Sequence, residues 1–536
     1  MVLGRSSPEF HIDVGAPASA VSDWLLSPDE RGNPDTRIDA RRGDGLAWSS
    51  GNAVTPLIHG RTYFAALSDA VSATTAGDLV MFTDWRGDPD EVVDDDGTAV
   101  SSLFCQAASR GVVVKGLVWR SHLDVLRFSS EENRRLGENI ESAGGECLLD
   151  MRVRPGGSHH QKVAVVRHRD HPERDVAFVG GIDLSHSRRD DERHLGELRR
   201  QPMPAIYGDR PPWHDIQLAL RGPAVGDLEA TFRERWNDPQ RLTHNPFRLA
   251  RSRIEDDDMD ADRLPRQFAD PAPHGTQVVQ VLRTYAYRHF AYSFARRGER
   301  SIARAYAKAI ARARSLIYVE DQYLWSYEVA QAFATALERN PALRMIGVIP
   351  LHADTEGVTA RGECVGRQRA LDLLTKAGGD RVAIYGVENH AGCPVYVHAK
   401  VCIVDDTWSC IGSDNLNMRS WTHDSELSCA VMDPDGGTRF GRDLRLRLAR
   451  EHLDRTDLDD DDLRDPVCMF DAYRHASSTL DAWHEDPDRE ARPAGRLRTY
   501  RLPNFPRWQR WLAVPMYRLV CDPDGRPPTL RRRHEF

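Results

Sequence analysis

Two short stretches of the 536-residue chain repeat one arrangement of reactive side chains. His160-Gln161-Lys162 opens the run VAVVR, and His398-Ala399-Lys400 opens VCIVD. Residues two apart on a strand share a face, so each copy presents an imidazole beside an ammonium. Two imidazoles can divide nucleophilic attack and proton transfer between them, while two ammonium groups hold the non-bridging oxygens of a phosphate. That chemistry calls for no metal and no other cofactor. One His-x-Lys match is weak, since ~0.2 arise by chance at this composition. Two are strong, because lysine supplies only five of the 72 basic residues and the chain otherwise uses arginine.

The flanking segments repeat as well. Gly180-Gly181-Ile182-Asp183-Leu184 follows the first copy and Gly412-Ser413-Asp414-Asn415-Leu416 the second, with Arg188 and then Arg419 beyond. WHDIQLAL, from Trp213, occupies the place of HDSELSCAV, from His423; each is strand-like and carries one of two matched carboxylates, Asp215 and Glu426. Helical patterns alternate with buried Val/Ile/Leu runs on both sides (TYFAALSDAVSATTAGD, LVMFTDW and GVVVKGLVW; SIARAYAKAIARARS, LIYVEDQYL and LRMIGVIPL). The pattern predicts a duplicated α/β half, fused. The expected organisation is 1–251 for the first half, 252–275 as an acidic, Pro-rich linker, 276–490 for the second half and 491–536 as a basic, aromatic strap.

HxK…GSxNLNxR in duplicate resembles the phospholipase D superfamily. HHQK, GGIDL, PWHD, IYVEDQY and DSEL are similar to the phosphatidylcholine-type phospholipases D of eukaryotes and some bacteria, over roughly Thr62 to Met432. The resemblance implies two α-β-α sandwich halves about a pseudo-twofold axis, sharing one active site. It implies a phosphohistidine reaction in which His160 attacks phosphorus and His398 protonates the leaving alcohol, then activates water or a small alcohol. Lys162 and Lys400 would hold the phosphoryl oxygens, with Asp183, Ser413 and Asn415 lining the cleft. Asp215 and Glu426 are the candidates to fix the histidine tautomers. The implied substrate is a glycerophospholipid at a membrane surface, with hydrolysis of the headgroup phosphodiester and transphosphatidylation as companion reactions. A cardiolipin-synthase-like phosphatidyltransferase and a nuclease of the same superfamily are the alternatives. A degenerate lipid-binding scaffold is disfavoured by the intact His/Lys pairs.

The first copy departs from the family's HxKxxxxD: Asp405 obeys it, but Arg167 stands in the first copy. An odd separation from His160 points residue 167 away from the catalytic face, so Arg167→Asp is expected to leave turnover intact, with Asp170 compensating for the missing acid. Trp85, Trp119 and Tyr323 follow buried strands and are candidates for a cation–π rim. His159, His214 and His423 read as packing or supporting residues, and the acidic runs 88–96 and 457–465 as solvated loops.

Composition excludes several classes. A net charge of −9, a pI near 6.2 and a mean hydropathy of −0.55 argue against a general nucleic-acid binder and against a membrane-spanning protein. The first residues lack a basic stretch followed by an apolar core, so a cytoplasmic protein, peripheral at the membrane, is expected. Nine scattered cysteines without a C-x-x-C pair suggest reduced thiols rather than a disulfide framework or zinc site. No protein partner is implied. The strap holds eleven Arg against three acids, with Tyr500, Phe505, Trp508, Trp511 and Tyr517 between them. It suits either docking to an anionic surface or packing on the body.

Overall fold

A computed structural model describes residues 20–121, 130–255, 259–354, 357–488, 491–501, 513–533 and 535–536. Phe505, Trp508 and Trp511 lie outside the described residues.

The first half contributes β1 (Ser49–Ile58), β2 (Leu79–Asp84), β3 (Val113–Trp119), β4 (Glu146–Asp150), β5 (Val163–Arg167), β6 (Val176–Gly180), β7 (Trp213–His214) and β8 (Ile216–Arg221). The second contributes β9 (Gln277–Tyr285), β10 (Glu299–Arg300), β11 (Leu316–Asp321), β12 (Arg344–Val348), β13 (Val382–Glu388), β14 (Pro394–Val397), β15 (Lys400–Val404), β16 (Trp408–Gly412), β17 (Glu426–Met432) and β18 (Leu497–Thr499). Strand order in the first sheet is β4-β3-β2-β5-β6-β8-β1. In the second it is β13-β12-β11-β15-β16-β17-β9. The two orders correspond strand for strand, parallel among β2, β3 and β4 as among β11, β12 and β13, and antiparallel elsewhere. The edge strands β1 and β9 pair antiparallel, joining the sheets.

Burial explains the composition of the central strands. LVMFTD and LIYVED are buried along their whole length, because helices cover both faces of each sheet. Gly60–Ser72, Val100–Ser109 and Ser130–Ser142 pack one face of the first sheet. Ser301–Ile310, Tyr327–Arg339 and Gly357–Gly378 pack one face of the second. The opposite faces share a core with the helices Ala224–Trp236 and Arg439–Leu453. The architecture is the expected α/β arrangement of two α-β-α layers. Among the described residues no helix is long and apolar enough to cross a membrane, and all nine cysteines are free.

Several local readings change. Arg167 is fully buried on β5; it donates to Asp175 at 2.7 Å, to Ala269 O at 2.5 Å and to Glu229, whose carboxylate is also buried. It is therefore a core counter-ion. Asp405 instead ties down the turn before β11, accepting from Arg314 N at 2.7 Å and Ser315 N at 2.8 Å. In the first half that task falls to Asp78, which accepts from Thr75 N and Arg169 N at 2.8 and 2.9 Å. Asp170 is exposed and does not compensate. The acidic run at 88–96 is partly internal: Asp88 is fully buried, binding Arg86 at 2.9 Å and His186 N at 2.8 Å. In the second run Asp460 is buried against Arg450. In the strap, Tyr500 and Tyr517 are buried and β18 pairs with β13, so the described part packs on the body.

Candidate active site

Lys162 precedes β5 and Lys400 opens β15, each with its histidine two residues earlier. The backbone there is anchored across the junction of the halves. His160 N–H donates to Ser425 O at 2.9 Å, and His398 N–H donates to His214 O at 2.8 Å. Each acceptor immediately precedes one of the two carboxylates, so the contact that docks the halves also delivers Glu426 to His160 and Asp215 to His398. His160 Nδ1 lies 2.8 Å from Glu426 Oε2, and His398 Nδ1 lies 2.7 Å from Asp215 Oδ2. Each of the two motif histidines is thus oriented by a carboxylate of the opposite half. With Nδ1 engaged, Nε2 is the nitrogen left for chemistry. Gly181 makes the approach of Asp215 feasible: a Cβ there would stand 2.3 Å from Asp215 Oδ1.

Burial sets the protonation. Desolvation, reinforced by the ammonium of its own motif, pushes both His160 and His398 well below the ordinary imidazole range. Desolvation also raises Glu426 to about 8 and Asp215 to about 6. Glu426 is pushed further up by Asp424, whereas Lys400 and the Ile216 N–H, 2.8 Å away, restrain Asp215. Each histidine–carboxylate pair titrates as a unit. Between about pH 6 and pH 8 the His160 pair keeps its shared proton and the His398 pair has released its own. One loaded and one unloaded imidazole is the state that nucleophile-plus-acid chemistry needs.

The polar residues expected around a phosphate are placed unequally. Lys162 Nζ stands 3.1 Å from Asp183 Oδ1, and Lys400 Nζ donates to His398 O and to Gln322 Oε1 at 3.3 Å. Asn415, 3% exposed, leaves its amide oxygen without a partner. Ser413 is committed elsewhere: its hydroxyl donates to Glu426 at 2.5 Å and accepts from Leu427 N at 3.0 Å. It steadies the carboxylate. Asp183 is an anion facing Lys162, and so would repel a phosphate oxygen rather than bind it.

Two further carboxylates, outside the repeated His-x-Lys and glycine motifs, hold the site together. Asp84 ends β2 and accepts Leu184 N at 3.0 Å, while Asp321 ends β11 and accepts Leu416 N at 2.9 Å. The two pin the matching glycine turns. Asp84 is raised far above the carboxylate range by burial and by Asp183, so it is neutral beside it. Extending the repeat back to LVMFTD and LIYVED would have found both. Arg188 lies 3.7 Å over the Trp213 ring, which in turn packs 5.0 Å from the His398 ring. Trp85 stands edge-on to His160 at 6.3 Å and stacks on Trp119 at 5.6 Å. Tyr323 stacks on Trp325 at 3.7 Å.

Behind Asp215 sits a buried cluster. His214 places Nε2 2.7 Å from Glu320 and Nδ1 3.2 Å from Glu451. His59 and His194 also reach Glu451, at 2.8 and 3.0 Å, and His452 reaches Glu320 at 2.8 Å. The ligand atoms of His59, His194, His214 and Glu451 lie within 4.8 Å of one another, close enough to share a cation. Without one, Glu320 and Glu451 overcome desolvation and push His214 up to about 10. The backbone carbonyl of this same residue anchors His398.

The chain is similar to known proteins over much of its length. The family model described as "Phospholipase D" matches residues 78–332, and "Cardiolipin synthase, PLD-like domain" matches 306–443. The chain is 25% identical over 475 residues to phospholipase D A of Dictyostelium discoideum, covering 73% of this chain and 35% of that one. It is 25% identical to phospholipase D alpha 1 of Carica papaya, covering 67% and 59%. It is 28% identical to phospholipase D1 of Mus musculus, covering 68% and 37%. The chain thus spans a third to three-fifths of the length of these relatives. Among solved structures, phosphatidylserine synthase of Haemophilus influenzae Rd KW20 aligns with a TM-score of 0.51 and 12% identity, over 79% of this chain and 94% of that one, a likeness of fold.

Proposed function

The chain is a member of the phospholipase D superfamily, and we propose that it hydrolyses the headgroup phosphodiester of glycerophospholipids through a phosphohistidine, with transfer to an alcohol as the companion reaction. The observation that carries this reading is the reciprocal contact of each motif histidine with the carboxylate of the opposite half, beside two lysines.

In the first step the Nε2 lone pair of His160 attacks phosphorus and the bond from phosphorus to the headgroup oxygen breaks. His398 donates its proton to that oxygen, and phosphatidyl-His160 remains. In the second step His398 takes a proton from water, whose oxygen attacks phosphorus; the phosphorus–nitrogen bond breaks and phosphatidic acid leaves. An alcohol in place of water gives the phosphatidyl alcohol. Lys162, Lys400 and the Asn415 amide face the charge that develops on the phosphoryl oxygens. The nucleophile is assigned to His160 because it belongs to the first motif. The charge state of the two pairs favours the reverse order, with His398 attacking and His160 donating, because between about pH 6 and pH 8 the His160 pair holds the proton and the His398 pair has released it.

The test is release of choline and ethanolamine from mixed vesicles with ethanol present, comparing the full chain with His160→Ala. Release lost in the variant, together with phosphatidylethanol formed by the parent, is the expected result. No release from zwitterionic or anionic lipid would overturn the reading and move the search to nucleic-acid phosphodiesters. Acid-quenched peptides carrying the phosphatidyl group on His160 or on His398 decide the order of roles.

A further inference from the structure

A cavity of about 950 Å³ opens beside the two stretches that carry His160 and Glu426. Arg154 and Pro155, which lead through Ser158 into His160, form one wall; His423, which leads into Glu426, forms another; and the C-terminal residues 517–519 and 522–524 close it. Five arginines line it: 154, 288, 369, 518 and 531.

Three acids share the lining with the five arginines: Glu328, exposed, and Asp524, 3.6 Å from Arg531, offset part of their charge, while Asp522 is turned to other partners. Asp522 accepts Met418 N at 2.6 Å and the Tyr517 hydroxyl at 2.9 Å, and Asp524 holds Arg526 at 2.9 Å. Arg154 donates only to carbonyls, Tyr287 O at 3.1 Å and Gly525 O at 2.9 Å. Arg288, 9% exposed, rests 4.7 Å over the Tyr292 ring and leaves Nη1 without a hydrogen-bond partner. His423, 6% exposed, has neither ring nitrogen bonded. Buried donors without partners are costly and uncommon, and these two residues line the same cavity. Burial, with Arg419 and Arg154 adding to it, pushes His423 down to about 4, so it is a neutral donor and acceptor.

Two lining residues, Tyr287 and Leu519, and two residues next in sequence to lining ones, Phe290 and Val520, expose apolar side chains. Tyr287 is 41% exposed, Phe290 46%, Leu519 76% and Val520 48%. Basic residues among exposed apolar ones suit a membrane interface, where the apolar groups enter the headgroup layer and the cations meet anionic lipid. On a chain of net charge −9 such a patch of arginines runs against the overall sign. A soluble ligand would use the arginines but would give the apolar rim no cover.

We propose that this face docks the protein on a membrane and that the cavity receives the anionic headgroup of a lipid neighbouring the one being cleaved. The inference rests on a membrane substrate, as proposed above, but it is read by binding without turnover, so failure of the one is distinguishable from failure of the other. Binding is measured by sedimentation with sucrose-loaded vesicles of phosphatidylcholine alone or with a minority of phosphatidic acid. The full chain is compared with Arg154→Gln/Arg288→Gln and with Leu519→Asp, and the melting temperature of each is recorded. The expected result is preferential binding to the anionic vesicles, weakened ~10–30-fold by the double arginine substitution and also weakened by Leu519→Asp. Binding indifferent to lipid charge, or unchanged in both variants, would overturn the proposal. So would capture of soluble glycerol phosphate with no gain on anionic vesicles. If the double variant does not fold, the exposed substitutions Arg518→Glu and Leu519→Asp decide in the same assay.

Discussion

At the scale of single residues, each motif histidine rests on one buried carboxylate. Glu426 and Asp215 touch the imidazoles, so Glu426→Gln or Asp215→Asn keeps the shape and removes the anion. Each is expected to lower kcat by ~10²–10⁴-fold with little change in melting temperature, by loss of tautomer control. The pH profile follows from the same groups. Glu426 is raised from 4.5 to about 8, so its pair holds a proton below that pH and loses it above. Asp215 is raised from 3.8 to about 6, so its pair takes up a proton below that pH and the two pairs cease to differ. Lys400, lowered by burial from 10.5 to about 8, loses its charge over the same alkaline limb. Steady-state kcat/KM should therefore form a bell with limbs near pH 6 and pH 8. Lys400→Gln should remove the lysine's share of the alkaline limb and raise KM. A profile flat to pH 10 would contradict this account.

At the scale of elements, the glycine turns and strand ends determine whether the groups meet. Gly181→Ala puts a methyl where Asp215 Oδ1 lies 2.3 Å away; it should displace that carboxylate and cut kcat by ~10–10²-fold, since a shift of about 1 Å has that effect. Retention of full activity would mean that the turn yields instead. Arg167→Asp tests β5. Alternation correctly places this side chain away from the motif histidine, but its neighbours are what matter: Asp175 and Glu229 are fully buried against it. Breaking such a pair leaves unpaired internal charge, so a loss of ~3–5 kcal/mol is expected in chemical denaturation. Turnover is expected to fall with the loss of fold, whereas strand alternation alone predicts no effect; an active, stably folded variant would support the latter.

At the scale of the molecule, neither half holds a complete histidine–carboxylate pair. The halves meet through β1–β9 and β7–β14 pairing and through the shared core, so each alone would expose a sheet edge and apolar faces. Residues 1–275 and 276–536 expressed separately are expected to be inactive and prone to aggregation, and to recover activity when co-expressed. Activity in either half alone would contradict the reciprocal site.

What was legible in the sequence was whatever repeats locally: HxK on a strand start, a glycine turn, one carboxylate per copy, and Val/Ile runs long enough to be buried strands. Those patterns predicted the α/β class and the duplication because strand alternation and hydrophobic period are properties of a few consecutive residues. The partner of each histidine, the use of Ser413 on Glu426 rather than on phosphate, and the pairing of Arg167 with Asp175 and Glu229 depended on which segments approach one another. So did the gathering of His59, His194, His214, Glu320, Glu451 and His452. Apart from the adjacent Glu451 and His452, those residues come from separated positions, and they meet only because the two sheets join edge to edge. Their charges are set by burial, which belongs to the packed molecule and not to any stretch of chain.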